Sequence, residues 1–305
     1  MQTLFPSFNG FTYSQSIPHE EGITRRDPTP VIPVDGMYHI WYSKNNENNP
    51  APYSGYTAAV WHAVSEDGFT WHEEGEAVGK GSGGAFDACG VFTPTVLLTP
   101  GYFYLYYTAV PMNWLGARQS TKTAIGAVYS DSPFGPWKRA EVNPVLTCSD
   151  DPEAFDSLRV DDTCIIVRDG QYWMYYKGRT RGKSPGTTQM GLARAVNPLG
   201  PWIKYEGNPV LDSGHEVCVW PHGWGVGCLV CDTGPQGNTL QYSEDGIFFK
   251  KFADTVPPKA PGPYREDNFT EGYGPGISWG IAMKMDKAWP YLVRFDCDLR
   301  SPEKS

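Results

Sequence analysis

Three times in this chain a short apolar run, a glycine turn and an aromatic strand-like run follow one another, and that repeat limits what the chain can fold into. Asp27-Pro28-Thr29-Pro30-Val31-Ile32 leads through Asp35-Gly36 into Met37-Tyr38-His39-Ile40-Trp41-Tyr42. Thr93-Pro94-Thr95-Val96-Leu97-Leu98 leads through Gly101 into Tyr102-Phe103-Tyr104-Leu105-Tyr106-Tyr107, and Asp162-Thr163-Cys164-Ile165-Ile166-Val167 through Asp169-Gly170 into Gln171-Tyr172-Trp173-Met174-Tyr175-Tyr176. Each copy predicts a β-hairpin. A second module, an alternating strand and a turn ending in an aromatic, recurs at 63–71, 127–137, 193–202 and 241–249, and Asn143-Pro144-Val145-Leu146 reappears as Asn208-Pro209-Val210-Leu211. Units of about 50 to 70 residues with about four strands each predict propeller blades. With a degenerate fifth unit over 274–294, the expectation is an all-β, five-bladed β-propeller forming a single catalytic domain over 1–305.

The composition suits many short strands and turns: 14% aromatic residues, 34 Gly and 27 Pro, with no sustained helical periodicity. A net charge of −9 without a Lys/Arg cluster argues against nucleic acid or an anionic membrane as partner. Nothing is long and apolar enough to span a bilayer, and no signal-like segment opens the chain, so a cytoplasmic location is expected unless a periplasmic signal has been removed. Seven cysteines at irregular spacing do not read as a disulfide framework. Cys228-Leu229-Val230-Cys231, a lone CxxC in an apolar stretch, is expected to be buried and structural. Residues 301–305 read as a frayed tail.

Repeat alignment puts three acidic residues, Asp27, Asp162 and Glu216, at matching places, so a ring of blades would aim them at one spot. Glycoside cleavage needs one group to protonate the leaving oxygen and another to activate water or attack the sugar. Asp27 is the expected base: Pro28 should keep its backbone extended, and Arg25 and Arg26 should hold its pKa low. The plainer alternative is an Asp that caps a strand. Asp161 and Asp162 should point to opposite faces of a strand, and the alignment selects Asp162 for the funnel. His215 and Glu216 are also adjacent, with Gly214 allowing irregular backbone before them. Either could donate a proton, Glu216 if burial raises its pKa or His215 if neighbouring carboxylates keep it protonated. Sequence physics leaves that choice open. Arg26, Thr93, Arg159, Lys177, Trp114 and Trp220 are the expected substrate contacts, the tryptophans by stacking on a sugar ring. Trp224 and Arg179 are further candidates, whereas His19 and His222 read as structural or surface residues.

The segments Gly22-Ile23-Thr24-Arg25-Arg26-Asp27-Pro28, Phe155-Asp156-Ser157-Leu158-Arg159-Val160-Asp161-Asp162 and Ser213-Gly214-His215-Glu216-Val217-Cys218-Val219-Trp220-Pro221 resemble glycoside hydrolase family 117. The likeness runs over nearly all of the chain. It implies a five-bladed propeller releasing 3,6-anhydro-L-galactose from the non-reducing end of neoagaro-oligosaccharides, by inverting cleavage of an α-1,3 bond. It further implies Asp27 as base, Asp162 as supporting acid, His215 as proton donor and Glu216 as its partner. Two features depart from the family pattern. The propeller-like repeat begins directly after Phe5-Pro6, without the helical extension used in family dimers, so a homodimer would need another route. Asp161-Asp162-Thr163 also stands in place of a His-Asp-Pro pattern. The expected partner is an oligosaccharide. No cofactor is required, and the sequence leaves room for a divalent cation near the axis without fixing its ligands. The alternatives are a glycoside phosphorylase, an arabinofuranosidase- or galactosidase-like propeller enzyme, and a non-catalytic sugar-binding propeller.

Overall fold

The computed structural model describes residues 4–5, 8–46, 55–114 and 117–303. Pro6, Lys304 and Ser305 of the segments discussed above lie outside them. After β1 (Thr12–Gln15), the first sheet comprises β2 (Thr24–Arg26), β3 (Ile32–Val34), β4 (Met37–Asn45), β5 (Ala59–Ser65) and β6 (His72–Val78). The second holds β7 (Gly90–Thr99), β8 (Tyr102–Val110), β9 (Ala124–Ser130), β10 (Lys138–Arg139) and β11 (Leu146–Thr147). The third holds β12 (Arg159–Arg168), β13 (Gln171–Arg179), β14 (Gln189–Ala195) and β15 (Ile203–Lys204). The rest are β16 (Cys218–Gly223), β17 (Gly225–Val230), β18 (Thr239–Ser243), β19 (Lys250–Asp254), β20 (Lys259–Pro263), β21 (Gly274–Lys284) and β22 (Tyr291–Arg300). These join β1 in an eight-stranded sheet, in which β16 and β21 share only the pairs His222↔Pro275 and Gly223↔Gly274. The only helical turn among the described residues is a 3-10 turn at Pro185–Thr187.

The three repeated hairpins form where the sequence puts them: β3–β4 turns at Asp35-Gly36, β7–β8 before Tyr102 and β12–β13 at Asp169-Gly170. Their aromatic strands build the core, with Trp41, Tyr42, Tyr106, Tyr107, Tyr175 and Tyr176 completely or almost completely buried. The repeated Asn-Pro pair has a structural use. Asn143 accepts from the Ala127 amide at 3.1 Å and donates to its carbonyl at 3.1 Å. Asn208 does the same at Leu192, at 2.8 and 2.9 Å. Each side chain thus replaces a missing strand partner.

Strands from successive parts of the chain contact one another in turn. β4 packs on β7, β7 on β12, β12 on β16 and β16 on β20, while β2 returns to β21 and β22. The N-terminal strand closes the last sheet, β1 pairing with β22 from Thr12↔Asp296 to Gln15↔Val293. Cys228 and Cys231 are buried with their thiol pKa values pushed well up by desolvation, and Cys231 Sγ donates to the Pro258 carbonyl at 3.2 Å. No helix among the described residues is long and apolar enough to cross a membrane.

Candidate active site

One backbone feature recurs at five places: directly after β2, within β7 and β12, before β16 and within β20. Asp27, Thr93, Asp162, Glu216 and Ala260 all adopt left-handed conformations, with φ of 51°, 44°, 48°, 56° and 43°. Such φ values are uncommon outside glycine and worst for a β-branched residue such as Thr93. Repetition at equivalent places marks them as part of the architecture. In β7, β12 and β20 the kink coincides with a break in strand register, at Phe92/Thr95, Asp161/Cys164 and Lys259/Gly262. A bulge of this kind re-aims the side chains around it.

Two expectations fail here for that reason. Pro28 does not hold Asp27 extended, because the kink overrides the pre-proline preference. Nor do Asp161 and Asp162 diverge: both line the same cavity, because the bulge breaks the alternation that would separate them.

That cavity, about 330 Å³, collects Asp27, Asp161, Asp162, His215 and Glu216 from three sheets, together with Arg26, Thr93 and Lys177. A smaller cavity beneath it shares Asp27, Thr93, Asp162 and Glu216 and reaches Ala260. Four of the five kinked residues therefore line both cavities. Gly214 has its place for a different reason than backbone freedom: a Cβ there would lie 2.3 Å from the backbone of Gln189, so the chain can pass β14 only as glycine. Gly55 likewise lies against the Arg26 side chain, where a Cβ would meet Cδ at 2.6 Å.

Burial and charge set the electrostatics. Arg26 Nε donates to Asp27 Oδ2 at 2.6 Å. Arg25 turns the other way, to Glu73 at 2.9 Å and Glu20 at 2.8 Å, as alternation along β2 requires, so only one of the two expected arginines serves Asp27. Burial outweighs that single partner, and the Asp27 pKa is raised, contrary to expectation. Lys177 bonds Asp162 and lies 3.1 Å from Asp161 Oδ1, at ion-pair distance. Burial raises Asp162, but Lys177 and then His215 outweigh it and its pKa ends low; burial pushes Asp161 up to about 6 against Lys177.

The adjacent pair also departs from the assignment the resemblance implies. Burial and then the Lys177 charge depress His215 to about 4, and attraction to Asp162 does not compensate. Neighbouring carboxylates thus do not keep this histidine protonated. Burial and the Asp27 charge push Glu216 up to about 7. Near neutral pH Glu216 therefore carries a proton for a large share of the time, whereas His215 is neutral.

Of the expected contacts, Arg26, Thr93, Trp114, Arg159 and Lys177 line the cavity, and Trp220 does not. Trp220 is fully buried on β16, its ring packed over Gly227 in a core cluster with Leu229 and Leu240. Trp224 is exposed and stands against Tyr273, outside this cavity. His222 stacks on Phe5 at 4.2 Å and its Nε2 donates to the Leu4 carbonyl at 2.7 Å, a structural role. Sequence reading missed Asp161, Tyr56, Phe92, Arg118, Gln119 and Thr188 as cavity residues. Apart from Asp161 and Phe92 they sit in segments between strands, where no periodicity points to a face. Several polar atoms lining the cavity have no hydrogen-bond partner among the described residues: His215 Nδ1, Glu216 Oε2, Thr188 Oγ1, Arg179 Nε and Trp114 Nε1. Open donors and acceptors in a cleft are groups that a polar ligand can satisfy. Among the described residues no group of three or more His, Cys, Asp or Glu is arranged to hold a metal ion.

Comparison with known proteins agrees with this geometry. Residues 24–174 match the family described as glycosyl hydrolases family 32 N-terminal domain. Among solved structures, fructan 1-exohydrolase IIa from Cichorium intybus superposes with a TM-score of 0.59 at 14% identity, over 96% of this chain and 57% of that one. The GH32 β-fructofuranosidase BmSUC1 of Bombyx mori gives 0.64 at 13% identity, over 92% and 61%. These two establish the fold. The similarity to Zg3597, a family 117 glycoside hydrolase produced by the marine bacterium Zobellia galactanivorans, is of another order, with a TM-score of 0.87 and 30% identity over 98% of this chain and 92% of that one. No curated protein sequence matches the chain. A propeller-like all-β chain with a carboxylate-lined cavity and these relatives is a glycoside hydrolase. Within that class the chain belongs to glycoside hydrolase family 117.

Proposed function

We propose that this protein is a five-bladed, exo-acting glycosidase that removes a terminal 3,6-anhydro-L-galactose-like sugar from an α-1,3 linkage with inversion. The five left-handed kinks support the blade count. The substrate class rests on family membership. The observation that carries the mechanism is the division of charge among acids at equivalent kinks: Asp162 is held ionised while Glu216 titrates near 7. Acid and base roles arise when environments push equivalent groups apart in this way.

In this reading Asp27, oriented by Arg26, takes the proton of the attacking water. Asp162, clamped by Lys177, stays anionic and stabilises positive charge developing on the sugar. Glu216 donates its proton to the leaving oxygen. A second reading gives the donation to His215: the resemblance implies it, and the unpartnered Nδ1 in the cavity supports it. The two differ in pH behaviour, since a donor near 7 keeps activity to neutrality, whereas one near 4 loses it above mildly acidic pH.

The test compares neoagarobiose with an aryl glycoside whose leaving group needs no proton. Glu216→Gln should lose about 10²–10⁴-fold in kcat on the disaccharide and far less on the aryl glycoside. That pattern in His215→Ala, with Glu216→Gln affecting both substrates alike, would reassign the donor. NMR of the first-formed product anomer tests inversion in the same reaction.

A further inference from the structure

Two neighbouring cross-strand pairs in the cavity wall differ in charge balance. Asp161 and Lys177 are directly opposed across β12 and β13, a compensated pair. Two residues along the same strands, Arg159 and Arg179 are directly opposed, two like charges where a sheet ordinarily avoids them. Both line the cavity.

Arg159 is 4% exposed, and no carboxylate among the described residues bonds to it. Its Nη1 donates to the carbonyls of Thr121 and Leu158, each at 2.9 Å, its Nη2 donates to the Arg118 carbonyl, and its plane lies 4.2 Å over the Trp114 ring. Carbonyls and an aromatic face orient a guanidinium without neutralising it, and two of its five N–H donors remain. Burial, together with the Arg179 charge, depresses its pKa to about 10 despite attraction to Asp161. Arg179 Nε is buried and without a partner among the described residues. Neutral hydroxyls would satisfy donors but leave the repulsion in place. An oxyanion would do both, because a guanidinium fork matches carboxylate or sulfate oxygens pairwise.

We propose that the Arg159–Arg179 pair binds an oxyanion carried by the substrate, a sulfate ester or a uronate carboxylate, beside the sugar that is cleaved. This rests on the hydrolase reading for its placement within a saccharide. It narrows the proposed substrate class by favouring saccharides that carry an acidic group beside the scissile bond.

Binding is measured without turnover, so that failure of the hydrolase reading stays distinguishable. Galactose, galactose 6-sulfate and galacturonate are titrated into the wild-type protein by calorimetry at low and high salt. At least one charged sugar should bind about 10- to 100-fold more tightly than galactose, as charge-assisted hydrogen bonds of this kind warrant, with the advantage shrinking in salt. The partly buried Arg179 is the first position to vary: Arg179→Gln should cut the charged-to-neutral ratio at least about tenfold, and Arg179→Lys should restore part of it by keeping the charge. The sulfate and carboxylate arms identify the anion. Equal affinity for all three sugars, or an unchanged ratio in Arg179→Gln, would overturn the proposal. Glycoside cleavage that requires inorganic phosphate would also overturn it, by making the anion a co-substrate.

Discussion

Asp27 and Asp162 occupy equivalent kinks in the first and third sheets, with φ of 51° and 48°, and each is held by one basic side chain from its own sheet. Their carboxyls nevertheless move in opposite directions. Asp27 has Arg26 at 2.6 Å and is raised by burial; Asp162 has Lys177, with help from His215 and more distantly Arg26, and is lowered. The backbone determines where an acid points. What surrounds it determines when it ionises.

The largest expected consequence is catalytic. Asp27→Asn keeps the hydrogen bond from Arg26 but cannot accept a proton from water, so kcat on neoagarobiose or the true substrate should fall about 10²–10⁴-fold. Retention of wild-type turnover would remove Asp27 as base and make the two aspartates equivalent supports. Lys177 offers a structural break on the other side. Lys177→Met strands two adjacent buried carboxylates, and losing the partner of a buried ion pair costs about 3–5 kcal/mol. The analogous Arg26→Met strands one acid whose pKa is already raised, and should cost less. Urea unfolding at pH 7 and pH 5 separates them: lost stability should return at pH 5 in Lys177→Met as Asp161 takes up a proton. Equal losses for the two variants, unaffected by pH, would contradict the asymmetry.

The same contrast explains how far the sequence could be read. Hairpins were legible because turn glycines and strand-forming aromatic runs are local signals, as in Gln171–Arg179. So was the equivalence of Asp27, Asp162 and Glu216, since repeat alignment carries the kink even where no residue announces it. Asp161 was not, because alternation excludes it until a bulge is known. Trp114 and Trp220 look alike in sequence, yet one lies beneath Arg159 in the cavity and the other over Gly227 in the core. Packing of distant strands decides between them. Ionisation was least legible of all, because Arg25 and Arg26 count equally in sequence and only one reaches Asp27.

The smallest effect tests the comparison most directly, because it predicts opposite signs from one chemical change. Asparagine resembles a protonated aspartic acid. A folded pKa raised above the unfolded value means the ionised form is disfavoured in the fold, so at pH 7 Asp27→Asn should leave thermal stability unchanged or raise it. A folded pKa below the unfolded value means the carboxylate is favoured, so Asp162→Asn should lower it. Each change should move Tm by about 2–4 °C or less per kcal/mol in a chain of this size. The pH dependence follows from the same linkage. Asp162 contributes stability above the unfolded carboxylate pKa and loses it as pH falls through its lowered folded value, whereas the penalty at Asp27 disappears as pH falls through its raised one. Both variants should therefore converge on the wild-type Tm in acid and diverge from it in opposite directions toward neutrality. Shifts of the same sign at pH 7 would mean that Arg26 neutralises its aspartate as fully as Lys177 does, and the difference between the two kinks would vanish.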